Sequence, residues 1–353
     1  MKRVMVGLSG GVDSAVSAAR LCDMGYEVVG VFIKVWHPDF LPCNWEKERR
    51  DAMRVAAHLK IPFLTCDAEK TYYEQVAKYF IESYRLGITP NPDVMCNRAV
   101  KFGTFWKFAQ NYKFDFIATG HYARNHFDSK TSQWNLLRGT DPDKDQSYFL
   151  WSLNQNDLSH SLFPIGDSLK SEVRKEAYRR GIPMAEKADS QGICFLGQVD
   201  IPTFLKKFID IKEGLVISSD GEIIGQHKGS ICYTIGQRHG FQIFNNSQET
   251  SAKYIHAINH KENTLHVSDA PPECKSESLL KLDNVNTINK IPTDSEVTIQ
   301  VRYRQKPIKS TIKEKNKNSI TVKTHENIKK TAVGQSCVLF NNDICLGGGT
   351  IVT

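Results

Sequence analysis

A short apolar strand that runs through a glycine-rich turn straight into a helix leaves few folds open. The stretch "RVMVGLSGGVDSAVSAARLCDMG" has that order: a strand, the turn Ser9 to Ser14, and an amphipathic helix stopped by Gly25. The alternation continues. "EVVGVFI" reads as a strand, "EKERRDAMRVAAHLK" as a helix and "PFLTC" as a strand again. A long helix is expected from about Glu69 to Leu86, ended by Gly87, and "FDFIATGHY" gives a further strand leading into a loop. Such a pattern predicts an α/β fold, a parallel Rossmann-like sheet with helices on both faces and its ligand at the carboxyl ends of the strands.

We expect that unit to occupy residues 1–211. From Gly214 the texture changes to short β-type runs, "LVISSDGEIIG", "SICYTIGQ" and "YIHAINHKENTLHVS", with turns at Asp220-Gly221 and Glu262-Asn263. Residues 212–270 are therefore expected to form a small, mostly-β central domain. After "APPE" come "SEVTIQVRYRQ", "KSTIKEKNKNSITVKT" and "GQSCVLFNNDICLGGGTIV", strands joined by hairpins, one turning at Lys317-Asn318. Residues 271–353 are expected to close into a β-barrel, because an open basic sheet would expose its edges.

The charge is uneven. Of a net +7, the stretch from Pro271 to Thr353 holds 13 Lys and Arg against 8 Asp and Glu, which suits a polyanionic partner. No apolar run approaches the roughly 18 residues of a membrane span, and "MKRVMVGLSGG" does not read as a signal peptide. A cytoplasmic protein is expected. Nine cysteines without C-x-x-C spacing fit neither a disulfide framework nor a structural zinc site, so no metal site is expected.

The turn can cradle phosphate through backbone N–H groups at the positive end of a helix, with hydroxyl donors from Ser9 and Ser14. It lacks the lysine of the G-x-x-x-x-G-K-[ST] loop that reaches the outer phosphates. Such a cradle fits a pyrophosphate that leaves as a unit, hence adenylation of a substrate. "GLSGGVDS" resembles the PP-loop of the ATP pyrophosphatase superfamily, whose members include guanylate, asparagine, argininosuccinate and NAD synthetases, lysidine synthetase and RNA thiolases.

Two cysteines stand in special surroundings. In "TPNPDVMCNRAVKF", Cys96 follows Asp93 at an expected helix start, where a thiol's pKa falls below about 8.5. Asp93 is placed to shuttle a proton, and Pro90 and Pro92 stiffen the approach. In "DSQGICFLG", Cys194 follows Gly192 in a loop expected to be exposed. Alone, Cys96 could equally be a packed structural thiol, and for Cys194 a core thiol beside Ile193 and Phe195 is the favoured reading. With the PP-loop and "ATGHYAR", the two segments resemble those of the tRNA-specific 2-thiouridylases, and the likeness runs on through "GTDPDKDQSYFL", "YTIGQRHG", "VRYRQ" and "CLGGGTI".

That resemblance implies roles. Cys96 matches the family's nucleophile, Cys194 its persulfide carrier, and Asp93 with Asn91 and Pro92 the strip that holds the target base. Gly7, Leu8, Ser9, Gly10, Gly11, Val12, Asp13 and Ser14, with Ile33 and Gly120, match the ATP site. His121, Lys144, Asp145, Gln146, Arg302, Tyr303 and Gln335 match positions that touch tRNA. Ile33 stands where relatives usually carry Met, and Cys43 receives no role.

The implied reaction is adenylation of the wobble uridine O2 by ATP with Mg2+, followed by replacement of that oxygen with sulfur. The implied partners are the anticodon arm of tRNA, a persulfide sulfur-donor protein and a thiol reductant, with no tightly bound protein cofactor. The cycle ends in a Cys96–Cys194 disulfide, and a loop movement is expected to bring the two thiols together. A lysidine-type ligase of the same superfamily, or a non-catalytic RNA-binding sulfur carrier, are the alternatives. The first needs no cysteine pair and the second needs no pyrophosphate release.

Overall fold

The computed structural model describes residues 1–41, 45–187, 192, 194, 197, 200–244, 252–274 and 277–352. Cys43 and most of the segment around Cys194 lie outside the described residues. The strands of the N-terminal half are β1 (Arg3–Gly7), β2 (Glu27–Lys34), β3 (Phe63–Asp67), β4 (Phe116–Ala118), β5 (Ala123–Asp128), β6 (Gln133–Arg138) and β7 (Ser161–Leu162). Among the described residues, five of them make a sheet in the order β3-β2-β1-β4-β7, with every pair parallel.

The period of β1 explains why both faces are covered. Val4 and Val6 point to one side, where they pack with helices α1 (Val12–Asp23), α2 (Trp45–His58) and α5 (Lys170–Arg179). Met5 points to the other, into a core built with α3 (residues 69–85) and α4 (residues 92–111). Both of these helices are interrupted by π-helical winding, at Tyr73–Ala77 in α3 and Asn97–Thr104 in α4. Gly25 and Gly87 end their helices at φ +79° and +71°, in the left-handed region that glycine adopts without strain. Because β1 is flanked by β2 on one side and β4 on the other, the strand order reverses there. A ligand crevice belongs at the carboxyl ends of β1 and β4.

The central sheet contains β8 (Gly214–Ile217), β9 (Ile223–His227), β10 (Gln242–Ile243), β11 (Tyr254–Asn259) and β12 (Thr264–Ser268), ordered β10-β9-β8-β12-β11. Its apolar side, with Val216, Ile255 and Leu265, packs onto Phe80, Ile81 and Tyr84 of α3. The expected turns are present: Gly221 has φ +87° and Asn263 φ +53°. "SICYTIGQ" is not a strand, however. Gly229, at φ +126°, turns the chain into a single 3-10 turn at Ser230–Cys232, and Gly236 turns it again at φ +83°.

The last unit has β13 (Glu273–Cys274) paired with β18 (Ile328–Lys329), and the strands β14 (Leu279–Thr287), β15 (Glu296–Gln300), β16 (Ile308–Lys315), β17 (Ile320–Thr324), β19 (Ser336–Asn341) and β20 (Ile344–Ile351). The last six close into a barrel, because β14 pairs with β17 on one side and β20 on the other. One feature is absent from the sequence expectation. The hairpin β5–β6 leaves the N-terminal half and joins the barrel, Ile344 and Cys345 pairing with Leu137 and Leu136. "VRYRQ" also corrects that expectation, since the strand ends at Gln300. Gln305 folds back there, its side-chain oxygen accepting from Val301 N at 3.1 Å, and Arg304 sits at φ +59°.

Candidate functional site

The phosphate loop forms at the expected crevice. Gly11 caps α1 with no side-chain hydrogen bond, so the helix's first amides are left for a ligand. Gly10 is required twice over. Its φ is +70°, and a Cβ there would lie 2.6 Å from Asp51 Cβ. Gly120, after β4, presses so closely on the start of α1 that a Cβ would lie 2.7 Å from Ser14 N. Ile33, near the end of β2, lies beside Gly7, 3.7 Å from where a Cβ would stand.

Of the two serines, Ser9 is the exposed one. Ser14 Oγ accepts from Ser9 N at 3.3 Å and donates to Gly11 O at 3.1 Å, so this hydroxyl shapes the loop instead of standing free as a phosphate donor. The loop also has its cation, one that no local motif announces. Lys170, the first residue of α5, places Nζ 2.7 and 2.8 Å from the two carboxylate oxygens of Asp13, and Tyr122 OH donates to the same carboxylate at 2.8 Å.

Cys96, Asp93 and Cys194 come together at a second point. Pro92 opens α4, where its missing N–H breaks no helical bond. Cys96 is buried, and its Sγ donates to Cys194 Sγ at 3.6 Å. Cys194 N donates to Asp93 Oδ1 at 2.9 Å, and Tyr72 OH from α3 donates to Cys194 O at 2.9 Å. The thiols are thus already in contact, with no loop movement needed to pair them. Cys194 is half-buried against the core, not exposed.

Electrostatics separate the two sulfurs, and they move Cys96 in the sense opposite to expectation. Cys96 stands a full turn inside α4 in an apolar core, and burial pushes its thiol well up. Cys194 is held below the usual thiol range, first by the hydrogen bond from Cys96 and then by Lys101. Burial also raises the Asp93 carboxyl, opposed by the Cys194 N–H and by Lys101. His121 connects the two sites. It follows Gly120, lies 3.5 Å through Nε2 from Lys101 Nζ, and pairs Nδ1 with Thr119 Oγ1 at 2.7 Å. Burial and the neighbouring ammonium push its pKa well down, leaving it neutral.

A family of tRNA-modifying enzymes matches in three consecutive pieces. Residues 2–198 match a tRNA methyl transferase HUP domain, 202–269 a tRNA methyl transferase PRC-barrel domain, and 277–351 an aminomethyltransferase beta-barrel domain. The tRNA-specific 2-thiouridylase of Staphylococcus aureus strain JH9 is 40% identical over 356 residues, covering 99% of this chain and 95% of that protein. The protein of strain COL matches equally. This chain belongs to the tRNA-specific 2-thiouridylase family. Among solved structures, a 4-thiouridine synthetase–RNA complex with bound ATP aligns over 56% of this chain and 45% of its own, at 18% identity and TM-score 0.36.

The residues expected from the resemblance to touch tRNA fall into different environments. Tyr303, just past β15, packs its ring 4.6 Å from Phe149, whose carbonyl accepts from Asn97 Nδ2 beside Cys96. Arg302 donates to Lys330 O at 3.0 Å and lies against Gly236 of the central unit. Gln335 donates to Thr89 O and Pro90 O, next to Asn91. Asp145 and Gln146 are turned inward. Asp145 pairs with Arg138 at 2.9 Å and accepts from Gly139 N and Ser147 N, while Gln146 accepts from Tyr122 N. Lys144 sits in the turn just before them, its N donating to Asp141 O. Sequence reasoning missed Lys101, Lys170 and Tyr72. Lys101 stands five residues beyond Cys96, about 140° away on an ordinary helix, so nothing in the pattern joins them.

Proposed function

We propose that this chain is a cytoplasmic ATP-dependent tRNA-uridine 2-sulfurtransferase that converts the wobble uridine to 2-thiouridine, releasing AMP and pyrophosphate. The observation that carries the reading is the run from a lysine-assisted phosphate loop through Gly120 and His121 to Lys101, on the helix that presents one of a contacting pair of thiols. Adenylation and sulfur transfer need just these two devices, side by side.

In this reading ATP binds with its phosphates on the Ser9 to Ser14 turn, and Mg2+ arrives with it as part of the substrate. Asp13 is already neutralised by Lys170, so the loop offers no acidic pair to hold a resident ion. The uridine, flipped from the anticodon loop, attacks the α-phosphorus through O2, and pyrophosphate leaves. A sulfur-donor protein has loaded Cys194 as a persulfide. Its terminal sulfur attacks C2, AMP departs with the oxygen, and a C2–S–S–Cys194 adduct forms. The Cys96 thiolate then attacks Cys194 Sγ, giving a Cys96–Cys194 disulfide and the thiocarbonyl. A thiol reductant resets the pair. Asp93, its carboxyl raised by burial, takes up and returns the protons.

RNA would be held by phosphate contacts and by stacked, splayed bases. The family-matched positions Asn91, Pro92, Asp93, His121, Lys144, Asp145, Gln146, Arg302, Tyr303 and Gln335 are proposed to serve this, His121, Asp145 and Gln146 by shaping the surface from within. Purified protein incubated with tRNA, ATP and a persulfide donor should yield 2-thiouridine with stoichiometric AMP and pyrophosphate, read by nucleoside mass spectrometry. AMP formation that proceeds unchanged in a Cys96→Ser, Cys194→Ser double variant, with an amine instead of sulfur incorporated, would establish the lysidine-type ligase instead.

A further inference from the structure

One cation inside the dithiol pocket has no chemical role in the sulfur-transfer steps above. In α4 the winding changes to π from Asn97 to Thr104, and the Phe105 N–H reaches back to Val100 O, five residues away. Gly103 permits this winding, since a Cβ there would lie 2.9 Å from Arg98 O. A turn closed by i to i+5 bonds brings residues five apart onto the same face. Cys96 and Lys101 are such a pair. The π segment thereby delivers an ammonium to the sulfurs that an α-helix would have turned away.

Lys101 Nζ lies 3.5 Å from His121 Nε2, on the helix that holds Cys96 Sγ 3.6 Å from the Cys194 sulfur, and its charge favours the Cys194 anion. The groups facing it are Cys96 and Asp93 on its own helix, Cys194 across the pocket, and His121 after β4, while Tyr72 OH from α3 sits close to Cys194. Three of these are acidic and one is a neutral imidazole that accepts its proton, so the pocket needs one positive charge. Burial opposes the ammonium, but Cys194, Cys96 and Asp93 together outweigh it and hold its pKa above the lysine norm.

We propose that Lys101 is a positioning residue of sulfur transfer, holding the Cys194 sulfur as an anion, first thiolate and then persulfide, beside Cys96. The proposal rests on the sulfurtransferase reading for its purpose. Without this cation a Cys194 anion would face the Asp93 carboxylate uncompensated.

The test reads thiol acidity directly, with no tRNA or sulfur donor present. Iodoacetamide alkylation of Cys194, resolved by peptide mass spectrometry, is followed against pH in wild type, Lys101→Met and Lys101→Arg. Wild type should react through a midpoint below the ordinary thiol value of about 8.5. Lys101→Met should shift the midpoint up by at least about one unit and slow the reaction at pH 7 about tenfold. Lys101→Arg should restore most of it. Superimposed profiles of wild type and Lys101→Met would overturn the proposal. A second measurement serves if Lys101→Met does not fold. Cys194→Ser should lower the Lys101 pKa, seen by NMR titration of lysine 13Cε resonances, and an unmoved titration would also overturn it. Failure of tRNA thiolation by the wild type would sink the sulfurtransferase reading while leaving these profiles as they are.

Discussion

Thr89 N donates to Val333 O at 3.0 Å, so the barrel is hydrogen-bonded to the strip that leads into Asp93 and Cys96. The contact is continuous. Gln335 donates to Thr89 O and Pro90 O, Asn91 Nδ2 donates to Ser336 Oγ at 3.4 Å, and Tyr148 OH donates to Ser336 O at 3.0 Å. A strip without regular structure is thus fixed by a β-strand end, and the helix that follows inherits its position. Placement of the Cys96 thiol depends on docking of a unit more than two hundred residues away in sequence.

Gly334 is the weak point of that seam. Its φ is +94°, and a Cβ would lie 2.2 Å from Ile88 Cγ2 and 2.6 Å from Thr89 O. Gly334→Ala should push the strip away from the barrel at a strain of about 1–3 kcal/mol. We expect disulfide formation between Cys96 and Cys194 under a mild oxidant to slow at least tenfold. Timed thiol trapping measures this, and an unchanged rate would show that α4 holds its place without the barrel.

The nucleotide loop makes a separate prediction. Gly120→Ala forces a methyl to 2.7 Å from Ser14 N and 2.8 Å from the Asp13 carbonyl carbon, both backbone atoms that cannot turn aside. It should abolish pyrophosphate release while tRNA affinity changes little. Ser14→Ala, which removes the hydroxyl bound to Ser9 N and Gly11 O, and Asp13→Ala, which removes the carboxylate paired with Lys170, should do the same. Wild-type pyrophosphate release in any of the three would remove the phosphates from this loop.

How much of this was legible beforehand follows the range of the interactions. The parallel sheet, its helices and the hairpin turns rest on local period and on glycines such as Gly25, Gly87 and Gly221, and all were readable. So was the pairing of a phosphate loop with Cys96 and Cys194, through resemblance. What hid was set by the third dimension. Lys101 reaches Cys194 because of π winding that no propensity marks, and Lys170 meets Asp13 across 157 residues. The acidity of Cys96 was misread because the helix start was weighed without the apolar core around it. The β5–β6 hairpin joins the barrel through edges that its own residues do not announce.

Salt dependence tests the RNA face. Removing the barrel would uncover β6 and undo the Thr89 seam, so point changes are cleaner. Arg304 and Lys306 are exposed, and Arg304 lies 5.2 Å over the Tyr303 ring. Arg304→Ala and Lys306→Ala should each weaken tRNA binding and reduce the slope of log affinity against log salt by about 0.7–0.9. A filter-binding titration decides it, and an unaltered slope would place those charges away from phosphate.

Acid sensitivity has a local source. His160 is buried, stacks on Trp106 at 3.7 Å and 8°, and its Nε2 has no hydrogen-bond partner among the described residues. Burial lowers its pKa to about 4 from an ordinary 6.5. The unfolded chain therefore binds the extra proton between those values, and stability falls as pH drops from about 6.5 toward 4, by at most about 3.4 kcal/mol. His160→Phe should flatten the dependence of denaturation midpoint on pH across this window. A parallel decline in both proteins would assign the acid sensitivity elsewhere.

The two cysteines should fail at different steps. A disulfide needs the sulfurs at about 2.05 Å, and they rest 3.6 Å apart, so bonding requires a shift of about 1.5 Å and no rearrangement of α4. Cys194→Ser should accept no persulfide at the site yet still adenylate tRNA, because the loop and Asp93 are untouched. Cys96→Ser should load sulfur on Cys194 and then stall, with tRNA held on Cys194 through the sulfur bridge, for want of the thiolate that releases it. Wild type given one turnover without reductant should end with Cys96 and Cys194 joined. Peptide mapping and intact-mass analysis of that single turnover distinguish the outcomes. Thiolated tRNA formed while both thiols remain free would reject this order of sulfur transfer and leave adenylation as the step still standing.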